Sequence, residues 1–438
     1  MAAGTYTTQN KVRPGIYVNF ESQPKPAGGF GDRGTVTIPL ALSWGAPNTV
    51  LTVEAGEDTF GKLGYTVADP KLRLLREALK RAKTLLVYRL NEGTKASIAN
   101  EGLTVTARWG GLRGNDITVA VEPSVDDSGL FEVATLVAGF EVDRQTVAAI
   151  DALQANEWVV FGGTGAPSLS AGLPLTGGSD GTVLNQHYAD YLETIETQDF
   201  NTMALPSADA TLKGQFVSFC ERMREEEGRK MQLVVENYPA ADYEGVISVK
   251  NGVVLADGTA LTAAECTAWT AGATAGANVN ESLTYTAYDG AVDAAPRLTN
   301  SQIIAALQAG EFVFTASGNR AVVEQDINTR TSFTPEKGKA FSKNRVLRVL
   351  DGINNDFVRT FGNYFVGRVA NNDNGRNLLK NECVDYLKAL LNIGAIQSFD
   401  AQQDIKVLQG ADADSVSIEA VVTPADSIEK IYVKVTVQ

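Results

Sequence analysis

The sequence predicts a multidomain α/β (α+β) protein, with a discontinuous core, an inserted small β-rich domain and extended N- and C-terminal β-strand arms. Three observations carry that prediction. An α/β alternation runs from about residue 35 to 90 and resumes near residue 177. The stretch between them is a series of short β-rich runs broken by Gly and Asp. Both chain ends alternate apolar and polar residues with period two.

The N-terminal arm is "GIYVNF", with Ile16, Val18 and Phe20 on one side of a strand and Tyr17 on the other. The Pro/Gly-rich stretch "ESQPKPAGGFGDRG" follows and reads as a flexible connection. "GTVTIPLAL" is then a strand, and Asp69 and Pro70 are the N-cap and first helical residue of "DPKLRLLREALKRA". Leu72, Leu75, Leu79 and Ala82 share one face of that helix, which feeds the buried strand "KTLLVYRL". Strands "LTVTARW", "DITVAVE", "FEVATLV" and "EWVVFGG" make up the insert, with a helix expected near "DRQTVAAIDALQ". After "GGSDG" come helices at "TVLNQHYADYLETIET" and "ATLKGQFVSFCERMREEEGRK", the strand "MQLVVE", and a helix at "LTNSQIIAALQAG". A last helix spans "GRNLLKNECVDYLKALLNIGA".

The chain closes on "SIEKIYVKVTVQ", a strand with Ile431, Val433, Val435 and Val437 on one face, and nothing downstream can pair with it. The expected organisation is an arm and linker over 1–34, a first core part over 35–100, the insert over 101–176, a second core part over 177–350 and a C-terminal domain over 351–438.

Composition narrows the function. A formal charge of −14 argues against a nucleic-acid binder, because that attraction comes from clustered Lys and Arg. Three widely spaced cysteines, Cys220, Cys266 and Cys383, suggest neither a disulfide framework nor a zinc site, and fit a reducing cytoplasm. No run of about 18 apolar residues and no secretory leader is present, so no membrane insertion is expected.

Enzyme-like motifs fail on context. "GEDTFGKL" places Gly56, Gly61 and Lys62 as in a phosphate-binding loop, but Leu63 stands where a Mg²⁺-ligating Ser or Thr is needed. Gly29, Gly31 and Gly34 match GxGxxG yet enter a strand rather than a helix, the reverse of what a dinucleotide site requires. The single histidine, His187, sits on a helix as a capping or surface residue. The charge run "CERMREEEGRK" is expected to be a solvated helix face. No catalytic residue, cofactor or metal site is expected.

Several stretches in order, "RPGIYVNFES", "LTVTARWGGLRGNDITVAV", "GGSDG", "INTRTSFTPEKGKAFSKNRVLRVLDGI" and "PADSIEKIYVKVTV", resemble contractile phage tail sheath proteins. The likeness spans nearly the whole chain and is to the type found in phages, defective prophages and phage-tail-like bacteriocins of Gram-positive bacteria. It implies a discontinuous sheath core, an outward-facing insert, a C-terminal part facing a tube, and terminal arms that donate strands to neighbouring subunits. The implied partners are further copies of the chain in stacked helical rings, an inner tail tube protein, and baseplate and tail-terminator proteins. The implied location is a virion tail or released particle, after synthesis in a bacterial cytoplasm.

Under that resemblance Ile16, Tyr17, Val18, Phe20, Ile431, Val433, Val435 and Val437 are the inter-subunit strand residues. The helix around Asn377–Leu391 offers Lys380, Glu382, Asp385 and Lys388 for tube contact. The same helix also reads as an amphipathic core helix through Leu378, Leu379, Tyr386, Leu387 and Leu390. Two other functions remain open from sequence: a non-contractile filament or surface-layer protein, and a carboxylate-dependent hydrolase.

Overall fold

Strands Thr35–Leu40 and Thr84–Arg89 are almost continuously apolar and buried along their length, the pattern of a sheet covered on both faces. The structure, a computed structural model, describes residues 2–4, 15–17 and 30–437. The two strands lie side by side, Val36 opposite Leu85 and Ile38 opposite Val87. They are the fifth and sixth strands of a seven-stranded sheet whose order is Glu311–Phe312, Val246–Val249, Gln232–Glu236, Thr202–Ala204, Thr35–Leu40, Thr84–Arg89 and Val50–Glu54. All neighbours pair in parallel except the edge strand Val50–Glu54, which runs antiparallel to Thr84–Arg89.

Alternation along each strand sorts the side chains to two faces. Val36, Ile38, Leu85, Val87 and Val234 share a core with Leu72, Leu75 and Ala78 near helix Arg73–Leu79 and with Trp269 of helix Ala263–Gly276. Leu86, Tyr88, Met203, Leu233 and Val235 share another with Tyr191 and Ile195 of helix Asn185–Ile195 and Phe216 and Cys220 of helix Ala210–Glu225. Asp69 caps the entry to its helical segment as expected, accepting from Lys71 N at 2.8 Å. The sheet draws its strands from both sides of residues 91–201, so the core is discontinuous.

Helix Ala263–Gly276 has no counterpart in the sequence prediction. Eleven of its residues are buried, so it has no polar face and no amphipathic period to read. Its legible signal is the capping box at Thr262 and Glu265, with Glu265 N donating to Thr262 Oγ1 at 3.2 Å. Small residues are needed because it lies against the backbone of the Arg73–Leu79 segment. A Cβ on Gly272 would sit 2.2 Å from Ala78 O, and one on Gly276 would sit 2.1 Å from Arg81 O.

The insert is a sandwich. A four-stranded antiparallel sheet, in the order Phe140–Val147, Phe131–Val137, Ile117–Pro123 and Ser170–Pro174, shares a core with a three-stranded sheet of Val159–Gly163, Leu103–Ala107 and Ser97–Asn100. The helix expected at "DRQTVAAIDALQ" does not form. Its first half belongs to strand Phe140–Val147, and only a 3-10 turn, Ile150–Ala152, follows. Ala138 and Gly139, at φ 52° and 83°, make the tight left-handed turn that commits this segment to a hairpin. Arg144 then bonds Glu132 across the hairpin at 2.6 Å.

Polar groups tie the insert to the core at its two crossings. Asn91 exchanges hydrogen bonds with Leu42, 2.8 Å each way, and donates to Asp180 O at 2.5 Å. The Asp180 carboxylate, from "GGSDG", accepts from Ser43 Oγ at 2.9 Å and Leu112 N at 2.8 Å. Fully buried Arg89 donates to Gly45 O and Gly110 O, each at 2.6 Å, and burial lowers its pKa to about 10. Trp44 stacks on Trp158 at 4.8 Å between ring centroids.

The chain divides into two units. Unit 2 holds the sheet and sandwich, comprising Asp32–Asn355, Ile393–Gln397 and Thr423–Gln438; unit 1 comprises Met1–Gly31, Asp356–Asn392 and Ser398–Val422. In unit 1, helix Asp373–Asn392 packs with the hairpin Ile405–Gln409/Val416–Ala420, which pairs Ile405 with Ala420 and Val407 with Ile418.

Gly272→Ala and Gly276→Ala are each expected to destabilise the protein by roughly 1–3 kcal/mol, since the clashing atom is backbone and the helix must shift. Urea unfolding of the two variants checks this, and wild-type midpoints for both would contradict the packing described.

Candidate functional site

Lys62 is committed to its own loop rather than to an open cradle. Its ammonium forms an ion pair with Glu57 and donates to Thr52 O at 2.7 Å. The Lys62 bond, joined by one from Glu54 N, lowers the Glu57 carboxyl pKa. The helix behind the loop is one turn long, Phe60–Leu63. Of the GxGxxG glycines, Gly29 lies outside the described residues, and Gly34 leads into strand Thr35–Leu40 with φ 112°. His187 Nδ1 accepts from Leu184 N at 3.2 Å and so caps its own helix. All three cysteines are buried, and burial pushes the thiols of Cys220 and Cys383 up to about 12.

The charge run "CERMREEEGRK" is not a uniformly solvated face. Arg222 points outward and pairs with Glu196 at 2.5 Å and Glu227 at 2.8 Å. Two residues on, Arg224 is 2% exposed and makes a two-pronged contact with Asp351 of helix Asn344–Tyr364, at 2.7 and 2.8 Å. Burial works against the Arg224 charge, and the Asp351 carboxylate more than offsets it, raising the pKa. Arg224 also donates to Met231 O at 2.7 Å, so the pair joins a helix, a strand entry and a second helix.

In unit 1 the structure places Ile16 and Tyr17 in strand Gly15–Tyr17, paired in parallel with Ala2–Gly4. Val18 and Phe20 lie outside the described residues, as does the expected linker from Pro24 to Gly29. At the start of the described stretch, Gly31 N donates to Asp356 Oδ1 at 2.8 Å and Phe30 meets Tyr386 edge-on at 5.6 Å.

Helix Asp373–Asn392 buries Leu379, Cys383, Tyr386, Leu387 and Leu390. Its opposite stripe exposes Asn377, Leu378, Asn381, Asp385 and Lys388, while Lys380 and Glu382 are half-buried on the flanks. Leu378, expected in the core, is 58% exposed, because it falls on the stripe shared with Asn381, Asp385 and Lys388. Beside this helix a groove of about 310 Å³ is lined by Phe361, Phe365, Leu379, Val416 and Ile418. Among the described residues, the two strands of the neighbouring hairpin pair only with each other.

In the tail of unit 2, among the described residues, no ladder forms beyond Lys430. Ile431, Val433, Val435 and Val437 are 79%, 78%, 79% and 89% exposed, and Tyr432 is 91% exposed. Glu429, just before them, is held. Burial alone would raise its carboxyl pKa, but hydrogen bonds from Lys343, Gln325 and Thr284 lower it.

Comparison with known proteins places this architecture. Residues 33–90 match the Tail sheath protein Gp18 domain III N-terminal region, 91–180 the phage tail sheath β-sandwich domain, 181–329 the phage tail sheath central domain and 336–438 the phage tail sheath C-terminal domain. The phage-like element PBSX protein XkdK of Bacillus subtilis is 41% identical over the full length of both chains. The crystal structure of the sheath tail protein of Desulfitobacterium hafniense is 62% identical, with a TM-score of 0.88 over 96% of this chain and 99% of that one. The anti-feeding prophage helical sheath in its contracted state shares the fold, with a TM-score of 0.60 at 13% identity over 97% and 98% of the two chains. The chain belongs to the contractile phage tail sheath family. It is a structural tail sheath subunit, a component of a phage tail or phage-tail-like particle.

Arg224→Ala is expected to destabilise the subunit by roughly 3–5 kcal/mol, because it leaves Asp351 buried without its partner. The double variant Arg224→Met/Asp351→Leu should recover most of that loss. Thermal unfolding of the three proteins checks both statements; equal losses in the single and double variants would contradict them.

Proposed function

We propose that the subunit polymerises in stacked helical rings around an inner tail tube and contracts to drive that tube through a target envelope. The observation that carries this reading is the tail Lys430–Val437, an exposed segment with alternating apolar residues whose backbone forms no ladder among the described residues. Such a segment is completed by adding to the edge of a sheet in another chain, where main-chain hydrogen bonds give strength and alternate side chains give register. The hairpin Ile405–Gln409/Val416–Ala420 is the acceptor: it has two strands, and the apolar groove at Val416 and Ile418 lies beneath one of them. Ile16, Tyr17, Val18 and Phe20 from a further copy join the same sheet, so three subunits meet in one joint.

Energy for contraction is stored in assembly. The extended form is a kinetically trapped state, released when new interfaces of about 1,000 Å² or more form between subunits. No step uses a nucleotide, in keeping with Lys62 bound to Glu57 and Thr52; ATP turnover by purified tubes would contradict this. The exposed stripe with Asp385 and Lys388, flanked by Lys380 and Glu382, grips the tube by charge complementarity, which allows release and sliding. Baseplate and terminator proteins close the two ends. The chain is made in the bacterial cytoplasm, has no catalytic role and needs no cofactor. Among the described residues no helix is long and apolar enough to cross a membrane.

Expressed alone, the chain is expected to form hollow helical tubes in negative stain, and deletion of 431–438 to leave a folded subunit that forms none. Normal tubes from the deletion variant would sink the arm reading. The double variant Lys380→Glu/Lys388→Glu should still self-assemble but bind purified tube protein differently at low salt, the difference fading at high salt. Unchanged binding at both salt concentrations would remove this stripe from the tube interface.

A further inference from the structure

The tail is bonded to the core in two places before its exposed end. Gln397 N donates to Thr423 O and Ala425 N to Ala395 O, both at 2.9 Å, and Arg345 donates to Ala425 O at 2.7 Å. Four residues later the Glu429 carboxylate accepts from Thr284 Oγ1 at 2.9 Å on one oxygen and from Gln325 Nε2 at 2.5 Å on the other, which also pairs with Lys343. The side chains of Glu429 and Lys343 are only 11% and 14% exposed. Thr284 is itself fixed, since its hydroxyl oxygen accepts from Asp326 N at 3.0 Å. From Lys430 to Val437 every residue is exposed.

We propose that Glu429 is the anchoring residue of the C-terminal arm, fixing the point at which the arm leaves the α/β core. This rests on the reading that the arm is donated to a neighbouring subunit. The argument is one of slack. With Glu429 released, the last contact is Asp426, paired with Lys343 at 4.0 Å, and the three residues Ser427–Glu429 add up to about 11 Å of free chain, at roughly 3.3–3.6 Å per extended residue. Movement of a neighbour would then be absorbed by the linker before the core felt it. With Glu429 held, pivoting is confined to the bonds at Lys430, and displacement of one subunit pulls directly on the next. Glu429 is therefore a positioning residue: its bonds are to its own core, and it acts through the arm it orients.

The test uses the full-length chain with Glu429→Gln, Glu429→Ala and Lys343→Met. Trypsin cleaves after Lys430, where Glu429 must leave its clamp for the chain to enter the protease, and after Lys434, which is exposed in either case and serves as an internal control. Relative to Lys434, cleavage at Lys430 is expected to rise about tenfold in Glu429→Ala, less in Glu429→Gln, which keeps neutral hydrogen bonds, and comparably in Lys343→Met. Tubes of Glu429→Ala, imaged by cryo-electron microscopy, should form but spread in rise and twist, with Glu429→Gln in between. Wild-type cleavage ratios, or faster cleavage with wild-type helical order, would overturn the anchor while leaving strand donation intact. Normal tubes from the 431–438 deletion would instead overturn strand donation itself. Should Glu429→Ala fail to fold, the Glu429→Gln and Lys343→Met pair carries the same comparison.

Discussion

The seven-stranded sheet of unit 2 must be covered on both faces, and that constraint organises the rest of the unit. Parallel strands hide their side chains alternately above and below, so Leu85 and Val87 need one helical layer and Leu86 and Tyr88 another. One layer is supplied by Arg73–Leu79 and Ala263–Gly276, the other by Asn185–Ile195 and Ala210–Glu225. Because the strands come from both sides of the insert, the sandwich must leave and re-enter the core at nearly the same place. Asn91 and Asp180 are bonded to each other there and to the loop carrying Leu42 and Ser43.

The chain's end has the opposite property. Each strand of the sheet pairs with a neighbour, whereas among the described residues Lys430–Val437 is an exposed segment with no ladder. In a monomer this is an aggregation hazard. Under the proposed strand donation the same feature is a connector, and the clamp at Glu429 separates the part of the tail bonded to its own core from the exposed part beyond it. A polymer that changes shape needs joints that stay connected and a fixed place from which each joint is pulled.

Local chemistry was legible where one short stretch decides the outcome. Asp69 followed by Pro70, the strand at Thr35–Leu40, and the helix carrying His187 all appear as read. Legibility failed where a neighbour decides. Helix Ala263–Gly276 lacks a polar side because protein surrounds it. Phe140–Val147 carries a sequence that also suits a helix, and the turn at Ala138 and Gly139 with the partner strand Phe131–Val137 selected the hairpin. Arg222 and Arg224 look alike in the charge run, and only the position of Asp351 on a distant helix separates the exterior arginine from the buried one.

Local residue patterns alone set the α/β alternation, the β-rich insert, the apolar spacing of Ile431, Val433, Val435 and Val437, and the order of stretches that marks the sheath family. These are properties of neighbours along the chain and of its periodicity. Contacts across the fold settle which arginine is buried, which helix is surrounded, and where the terminal segment makes its last bonds to the core. Those outcomes depend on groups far apart in sequence: Glu429 meets Thr284, Gln325 and Lys343 across separations of 145, 104 and 86 residues, and no local pattern encodes such a meeting.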